Sequence, residues 1–338
     1  MRRGARRGGA RCVGARIRQR AWQTGKARGF YARQASPGSH WKVFIVSVIR
    51  KKSLQNEPLL PWLPDSHIVT VENRGEFFVR RFQHSNPSAP TLLLLHGWTG
   101  CADTNFFSAY RQLAEKYSFV AIDHRGHGRG LRSQTPFTLE DCADDAAMVL
   151  AQLGIANVVV VGYSMGGPVG MLLWRQHPQV VASVVLCATA LEWCATRAER
   201  NRWRVGRLLA PVFRMVSTPA VISRVVRRAM GRKSEIASLR PWIVGETRRN
   251  DAWAINQAGR ALSRYDAREW ARGIDVPVAV VVTTKDTLVL PHKQHALAGA
   301  TAAHVVSLDA DHMAVMNAPD KFATALRIAV DHVAFIGK

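Results

Sequence analysis

The sequence predicts an α/β fold with a mostly parallel central sheet and helices on both faces. Short apolar runs rich in Val and Leu recur between residues 91 and 308, as expected for strands that are buried on both sides. Segments that favour helix separate most of these runs. Strands that alternate with helices favour parallel pairing, because each helix carries the chain back across the sheet.

The individual elements can be placed in order along the chain. Residues 67–71 and 76–82 alternate between apolar and polar side chains, which predicts an antiparallel hairpin with its turn at Asn73, Arg74 and Gly75. Six further strands are predicted at 91–96, 118–123, 157–163, 181–187, 277–283 and 303–308. The main helices are predicted at 104–116, 138–153, 165–177 and 318–335.

The charge of the chain is concentrated in two segments. The 338 residues are 47% hydrophobic, which is typical of a globular protein, and they carry a formal net charge of +23. Residues 1–56 hold fifteen basic residues and no acidic residue, while residues 191–273 hold eighteen basic and seven acidic residues. The rest of the chain is close to neutral.

Residues 1–56 are predicted to form a basic, disordered extension. They lack hydrophobic periodicity, and no apolar run follows the arginine pairs at the distance expected of a signal peptide. The apolar run at 43–49 is too short to span a bilayer. The positive charge of this extension favours weak contact with anionic lipid or nucleic acid.

Residues 191–273 interrupt the alternation of strands and helices. This segment has no clear strand, is rich in Arg and Trp, and contains Pro211, Pro219 and Pro241. We predict a helical insertion between two halves of one α/β core, which comprises residues 57–190 and 274–338. The positive charge of the insertion suits either a solvated basic face or the recruitment of anionic substrates.

The five cysteines do not indicate a disulfide framework or a zinc site. Their number is odd and no two of them form a Cys-x-x-Cys pair. A reducing compartment is therefore expected, which predicts a cytoplasmic protein that could lie at the periphery of a membrane.

A serine flanked by glycines lies where a predicted strand meets a predicted helix. Residues 162–166 read Gly-Tyr-Ser-Met-Gly, so Ser164 occupies a G-x-S-x-G turn. Such a turn is strained and projects the hydroxyl beyond the sheet edge, with the N-terminus of the helix directly behind it. This arrangement predicts that Ser164 is a nucleophile.

Three segments together resemble the α/β-hydrolase fold family. Residues 92–100 (LLLLHGWTG), 121–130 (AIDHRGHGRG) and 162–167 (GYSMGG) are similar to its oxyanion loop, its D-x-R-G-x-G segment and its nucleophile elbow. The resemblance covers about residues 66–335, and the motifs occur in the order of the family. It implies a serine esterase or lipase-like branch in which residues 191–273 form a helical cap over the active site.

His312 is the predicted general base. A serine needs a base to accept its proton and a carboxylate to orient that base, and in this fold the order along the chain is nucleophile, acid, histidine. His312 follows the last predicted strand, at the edge where ligands bind in open sheets. The alternatives are less well placed, since His292 and His295 lie in a helical stretch and His304 begins a strand.

Asp286 is the predicted acid, because it directly follows the strand at 277–283. Glu192 is an alternative, since it also follows a strand. Asp309 and Asp311 are too close to His312 in sequence to orient it from the far side. Asp311 stands where the family usually has a glycine, and it adds negative charge next to His312.

Further roles are implied by the resemblance. The backbone N–H groups of Trp98 and Met165 are expected to form an oxyanion hole. The side chains of Trp98, Tyr163 and Met313 are expected to line the substrate pocket. His96 and His124 are interpreted as hydrogen-bond anchors of their loops, and no metal or cofactor is expected.

The predicted function is hydrolysis of a small-molecule carboxylic ester through an acyl-serine intermediate, with no obligate protein partner. Serine at 164 argues against epoxide hydrolases and haloalkane dehalogenases of the same fold, which need an aspartate there. Thioesterases, carbon–carbon bond hydrolases and cofactor-free haloperoxidases use the same triad and remain alternatives. A further alternative is an inactive protein of this fold that binds nucleic acid or anionic surfaces.

Overall fold

One eight-stranded sheet organises the chain. A computed structural model describes residues 60–335, apart from 217–218 and 231–235. The strands are β1 (Asp65–Val71), β2 (Gly75–Phe82), β3 (Thr91–Leu95), β4 (Ser118–Ile122), β5 (Val158–Tyr163), β6 (Val181–Cys187), β7 (Val278–Thr283) and β8 (His304–Leu308). Their order across the sheet is β1-β2-β4-β3-β5-β6-β7-β8. The predicted α/β fold class is confirmed.

The hairpin at the start of the sheet is the antiparallel part. β1 pairs antiparallel with β2, and β2 pairs antiparallel with β4. All other neighbours are parallel. Asn73 and Gly75 adopt positive φ angles of 60° and 127°, which a tight hairpin turn requires. The segment before β1 includes the predicted extension at 1–56, which lies outside the described residues.

The central strands are buried on both faces, as their continuous apolar runs predict. All six residues of β5 and all six of β7 are buried. Burial of each Val or Leu side chain contributes about 1.5–3 kcal/mol to the free energy of folding. The parallel strands therefore form a rigid platform, and the loops after their carboxyl ends are held at one edge.

Helices cover the two faces of the sheet. The described helices of the core are α1 (Ala102–Phe106), α2 (Tyr110–Ala114), α3 (Leu139–Gln152), α4 (Gly166–Gln176), α9 (Pro291–Ala300), α10 (Ala314–Asn317) and α11 (Pro319–Val333). Apolar residues of α3 and α4 belong to one buried cluster, and those of α1, α2 and α11 belong to the other. Each face of the sheet thus has its own hydrophobic core.

The helix predicted at 104–116 is two short helices instead. Cys101 caps α1 through a capping box with Thr104, so the helix begins earlier than predicted. The N–H of Ala109 then donates to the carbonyl of Phe106 at 2.9 Å. This bond spans three residues, as in a 3₁₀-helix, and not the four residues of an α-helix. The chain turns at this bond, and α2 begins at Tyr110.

The segment between β6 and β7 is helical in its described part. It contains α5 (Arg197–Val216), α6 (Pro219–Ala229), α7 (Arg240–Thr247) and α8 (Ala252–Leu262). Apart from an isolated bridge between Glu192 and Asp266, residues 191–273 show no strand pairing where the structure describes them. Its role as a cap stays a prediction. No helix in the described residues combines the length and apolar character needed to cross a membrane.

Candidate active site

Ser164 lies on a sharp turn between β5 and α4. Its φ angle is +53°, in the left-handed region that side chains rarely adopt. The turn is fixed on both sides, because the Ser164 N–H donates to Cys187 O at 2.8 Å and the Gly167 N–H donates to Ser164 O at 2.9 Å. Strain of this kind persists only where the surrounding structure imposes it. The hydroxyl is therefore presented at a fixed point beyond the sheet.

The flanking glycines leave no room for a side chain. A Cβ at Gly162 would lie 2.4 Å from the carbonyl oxygen of Gly166. A Cβ at Gly166 would lie 2.0 Å from the carbonyl oxygen of Leu95. Both contacts are with backbone, which cannot move aside without separating α4 from the sheet.

We expect Gly166→Ala to lower the free energy of unfolding by about 1–3 kcal/mol or more, because it forces the start of α4 away from β3. Gly299→Ala is the control, since Gly299 lies in α9 with nothing within 4 Å of an added Cβ. That change should stabilise the protein by up to about 1 kcal/mol. Urea unfolding measures both variants, and equal stability of Gly166→Ala and the parent would contradict this account of the turn.

His312 connects the serine to a carboxylate. Its Nε2 lies 3.1 Å from Ser164 Oγ, and its Nδ1 lies 2.8 Å from Asp286 Oδ2. An ionised carboxylate only accepts hydrogen bonds, so Nδ1 carries the proton and Nε2 is free to accept one from the serine hydroxyl. The structure thus brings together the three residues that were predicted from separate strand ends.

Both oxygens of the Asp286 carboxylate accept hydrogen bonds. Its Oδ1 accepts from the backbone N–H groups of Leu288 and Val289 at 2.8 and 2.9 Å. Its Oδ2 accepts from Thr283 Oγ1 and Gln294 Nε2 at 2.8 and 3.2 Å, in addition to His312. Burial raises the pKa of this carboxyl, but the hydrogen bonds from His312 and the backbone outweigh that effect and hold it below its usual value. Asp286 is therefore a fixed negative charge.

The three side chains are largely screened from water. Ser164 is 7% exposed, His312 is 9% exposed and Asp286 is 2% exposed. Electrostatic interactions are stronger in such surroundings than in water. The geometry suits transfer of a proton from the serine hydroxyl to His312, with Asp286 stabilising the resulting positive charge.

The alternative histidines occupy other places. His292 and His295 lie on α9. His304 is at the exposed start of β8 and stacks on His332, with 3.7 Å between ring centroids. These are the elements in which the sequence predicted the three histidines, a helix for His292 and His295 and the start of a strand for His304.

The alternative carboxylates are engaged by other groups. Glu192 pairs with Lys293 at 2.9 Å, and Asp309 pairs with Lys285 at 2.8 Å. Asp311 accepts from the backbone N–H of Met313 at 2.8 Å and from the Asn317 amide at 3.0 Å. The Asp311 carboxylate therefore bonds to the residue before α10 and to the last residue of α10.

The two predicted oxyanion donors lie next to the serine. Met165 directly precedes α4. Gly97 lies against the serine, since a Cβ there would be 3.1 Å from Ser164 Cβ, and its N–H donates to Asn105 Oδ1 at 2.7 Å. Within residues 60–216, 219–230 and 236–335, neither the Trp98 N–H nor the Met165 N–H has a hydrogen-bond acceptor. A role of either group as an oxyanion donor stays a prediction.

Comparison with known proteins identifies the fold family. The enol-lactonase from Burkholderia xenovorans LB400 superimposes with a TM-score of 0.67 at 23% identity, covering 78% of this chain and 99% of its own. An esterase from Exiguobacterium antarcticum gives a TM-score of 0.67 at 19% identity, covering 79% and 98%. A family model described as alpha/beta hydrolase fold matches residues 90–221. The chain therefore has the α/β-hydrolase fold, and residues 90–221 match the sequence model of that fold.

A sequence relative shares most of this α/β-hydrolase region. The dihydrolipoyllysine-residue acetyltransferase component of the acetoin cleaving system of Pseudomonas putida is 27% identical over 257 residues, or 73% of this chain. The match covers 65% of that relative, slightly less than two thirds of its length. The resemblance to an α/β hydrolase predicted from the sequence is confirmed, whereas the esterase or lipase branch stays a prediction.

The Trp98 side chain joins the oxyanion loop to the helical insertion. Its indole Nε1–H donates to the carbonyl of Ile255 in α8 at 2.8 Å. Its ring packs against Trp203 of α5, with 5.5 Å between centroids, and against Gly259 of α8. The insertion therefore contacts the loop that holds one predicted oxyanion donor.

The other two predicted pocket residues lie beside His312. Tyr163 is buried, its hydroxyl donates to the backbone carbonyl of His312, and its ring packs edge-on against Phe322. These contacts make Tyr163 a support for the histidine loop. Met313 is partly buried against the cluster that contains α11. Contact of either side chain with a substrate stays a prediction.

Sequence reasoning missed the polar residues that support the site. Gln294 in α9 is fully buried and bonds to Asp286, Thr283 and the carbonyl of Val289. Asn105 in α1 holds the loop at Gly97. A buried amide in a helix leaves little signal in one sequence, because Gln and Asn are also common on exposed helix faces.

Three buried histidines lie next to the oxyanion loop. His96 Nδ1 bonds to Gly97 O at 2.8 Å, and its Nε2 accepts from the His124 N–H at 2.9 Å. Both ring nitrogens of His96 are thus used as loop anchors, as predicted. The same prediction is wrong for His124 Nε2, which is buried and has no hydrogen-bond partner in the described residues. Burial lowers the pKa of His124 to about 3 and that of His127 to about 4, and the neighbouring positive charges add to this effect.

Acid should therefore destabilise the protein through this cluster. Between about pH 6.5 and pH 4, His127 is neutral in the folded protein but protonated in the unfolded chain. The unfolded state then binds more protons, so the free energy of unfolding falls as the pH falls. His127→Asn keeps a donor for Arg125 O, which His127 Nδ1 contacts at 3.0 Å.

We expect His127→Asn to reduce the slope of unfolding free energy against pH by about 1 kcal/mol per pH unit between pH 6 and 4.5. Urea unfolding at several pH values measures that slope. His292→Asn is the control, because that side chain is exposed on α9 and remains in water in both states. An unchanged slope for His127→Asn would show that His127 is not a neutral buried group.

Proposed function

We propose that the protein hydrolyses carboxylic esters through an acyl-serine intermediate, with Ser164 as nucleophile, His312 as base and Asp286 as the orienting acid. The observation that carries this proposal is the position of His312, within hydrogen-bond distance of both Ser164 Oγ and Asp286 Oδ2. Nucleophile, base and orienting group in this order are the elements that acyl transfer by a serine requires.

The first half of the reaction forms the acyl-enzyme. Ser164 Oγ attacks the carbonyl carbon of the ester while its proton passes to His312 Nε2. The negative charge that develops on the carbonyl oxygen is stabilised by the N–H groups of Trp98 and Met165. The tetrahedral intermediate then releases the alcohol, which takes the proton from His312 Nε2.

The second half returns the serine. A water molecule attacks the acyl carbon and gives a proton to His312 Nε2. The second tetrahedral intermediate breaks the bond to Ser164 Oγ, which recovers its proton from the histidine, and the carboxylic acid leaves. Asp286 stabilises the imidazolium in both halves, and its low pKa keeps it ionised throughout.

The helical insertion acts in this proposal as a cap. Support comes from Trp98, whose indole bonds to α8 and whose ring packs on α5, so the oxyanion loop and the insertion are in direct contact. A further bond joins them, since Asn250 Nδ2 donates to Thr99 O at 2.6 Å. The insertion also contacts the segment 121–130, where the Asp251 N–H donates to Gly126 O at 2.8 Å. Contacts of this kind couple the shape of the acyl pocket to the insertion.

The proposed reaction is tested by comparing kcat/KM for three substrates of matched structure. They are p-nitrophenyl butyrate, the corresponding butyryl thioester and the corresponding butyramide. We expect kcat/KM to be highest for the ester and turnover to stop after treatment with a serine-reactive phosphonate. Preference for the thioester would assign thioester hydrolysis to the same residues. Turnover of none of the three acyl substrates would contradict an acyl-transfer function.

A further inference from the structure

A cleft of about 320 Å³ opens in the helical insertion, beside α5 and the end of α8. Its wall includes Arg200, Trp203 and Arg204 from α5, together with Arg264 and Tyr265. A volume of this size lies within the range of small-molecule sites.

The acidic residues of the cleft wall already have cationic partners. Glu192 pairs with Lys293 at 2.9 Å, and Asp266 pairs with Arg268 at 2.5 Å. Lys293 also pairs with Glu199 at 2.5 Å, so Lys293 and its two carboxylate partners keep one negative charge, whereas Arg200, Arg204 and Arg264 bring three positive charges to the wall.

Two of those arginines have side chains without a partner among the described residues. Across the part of the chain that the structure describes, the guanidinium groups of Arg204 and Arg264 form no ion pair and no hydrogen bond. Arg200 differs, because its guanidinium donates to the carbonyls of Cys194 and Ala195. Arg264 also lines a second cleft of about 400 Å³, in which the Arg260 guanidinium likewise lacks a partner within the described residues and Glu140 supplies one carboxylate. The region thus carries uncompensated positive charge.

The cleft is connected to the catalytic serine by a continuous series of contacts. Trp203 in its wall packs on Trp98, with 5.5 Å between ring centroids. Trp98 follows Gly97, which lies against Ser164 Cβ. The Trp98–Trp203 pair therefore lies between the cleft and the loop that contacts the serine.

We propose that this cleft binds the anionic end of an ester substrate whose scissile carbonyl lies at Ser164. The inference rests on the proposed function and names its substrate class, an ester with a carboxylate or phosphate some carbons away from the reacting group. Guanidinium groups bind such anions through paired, charge-assisted hydrogen bonds. The indole rings provide an apolar wall for the methylene groups in between.

The test compares p-nitrophenyl half-esters of succinate, glutarate and adipate with neutral p-nitrophenyl esters of equal chain length. We expect the native protein to prefer the anionic ester for at least one length. Arg204→Gln/Arg264→Gln should lower kcat/KM for that ester by about 10- to 100-fold, mainly through KM, and should leave the neutral ester unchanged. The half-esters carry their carboxylate on the acyl group, whereas butyryl-CoA carries its phosphates on the leaving group. A drop in kcat/KM for butyryl-CoA in the double variant, without one for the half-esters, would place the bound anion on the leaving-group side.

Arg227→Gln is the matched control. Arg227 lies on α6 of the same insertion, is exposed, and has no ion pair among the described residues. The preference for the anionic ester should survive in this variant if the cleft binds the anion. Equal loss in both variants would overturn the proposal in favour of a general effect of the positive charge.

Calorimetric titration with glutarate separates failure of the cleft from failure of the proposed function. If the native protein hydrolyses neutral esters and shows no preference for anionic esters, the proposed anion site is wrong and the proposed function stands. If the native protein hydrolyses no ester, the proposed function fails, while glutarate binding that is lost in Arg204→Gln/Arg264→Gln still supports the cleft. Absence of glutarate binding in the native protein, or equal binding by the double variant, would overturn the cleft.

Discussion

Ser164→Ala is expected to lower kcat for p-nitrophenyl butyrate by about 10⁴–10⁶-fold and to leave the folded structure intact. Oγ is the only heavy atom lost, and its one hydrogen bond to a side chain within the described residues is with His312 Nε2 at 3.1 Å. Without Oγ, no acyl-enzyme can form. The residual rate would come from the oxyanion donors and from binding of the substrate.

Ser183→Ala is the matched control, because Ser183 is a buried serine in β6 whose hydroxyl has no partner in the described residues. Its kcat should equal that of the parent. Thermal unfolding should give similar Tm values for Ser164→Ala and the parent. More than a tenth of the parent activity in Ser164→Ala would end the hypothesis of an acyl-serine intermediate.

His312→Ala should cost about as much activity as Ser164→Ala, and the double variant should cost little more. The reason is that the two residues act as one unit, so removal of either leaves the other without a function. Asp286→Asn should lower kcat by about 10⁴-fold, because an amide cannot stabilise the imidazolium and favours the wrong tautomer of His312. Initial rates with p-nitrophenyl butyrate measure all three variants.

Glu192→Gln tests the competing choice of acid. Its carboxylate pairs with Lys293 and accepts from the Ala195 N–H at 2.9 Å, so its loss should change kcat little. A large loss in Glu192→Gln with normal activity in Asp286→Asn would reverse the assignment of the acid. Additive losses in Ser164→Ala/His312→Ala would show that the two residues do not act together.

The sequence predicted the parts of the fold that depend on local pattern. The continuous apolar runs of β5 and β7 are the strands that are buried on both faces, and the glycines around Ser164 are the ones that backbone contacts require. Ser164, Asp286 and His312 could be named because each lies directly after a recognisable strand. Their geometry in the structure agrees with that reading, while their catalytic roles stay predictions.

The sequence could not reveal features that depend on packing between distant elements. Gln294 supports Asp286 from the middle of α9, and Trp98 reaches a carbonyl 157 residues away in α8. Neither contact can be read from the neighbouring residues in the sequence, because each depends on how a helix packs against the sheet and its loops. The break between α1 and α2 likewise depends on a single short backbone bond at Ala109.

Covalent labelling with a serine-reactive alkyl phosphonate tests the central claim most directly. Because His312 Nε2 lies 3.1 Å from Ser164 Oγ, we predict one adduct per chain, found by peptide mass spectrometry on the peptide that contains Ser164. Labelling should be lost in His312→Ala. In the parent protein, the adduct should form at the same rate as ester hydrolysis is lost. Loss of hydrolysis with Ser164 unlabelled, or an adduct on another residue, would contradict the assignment of Ser164 as the nucleophile.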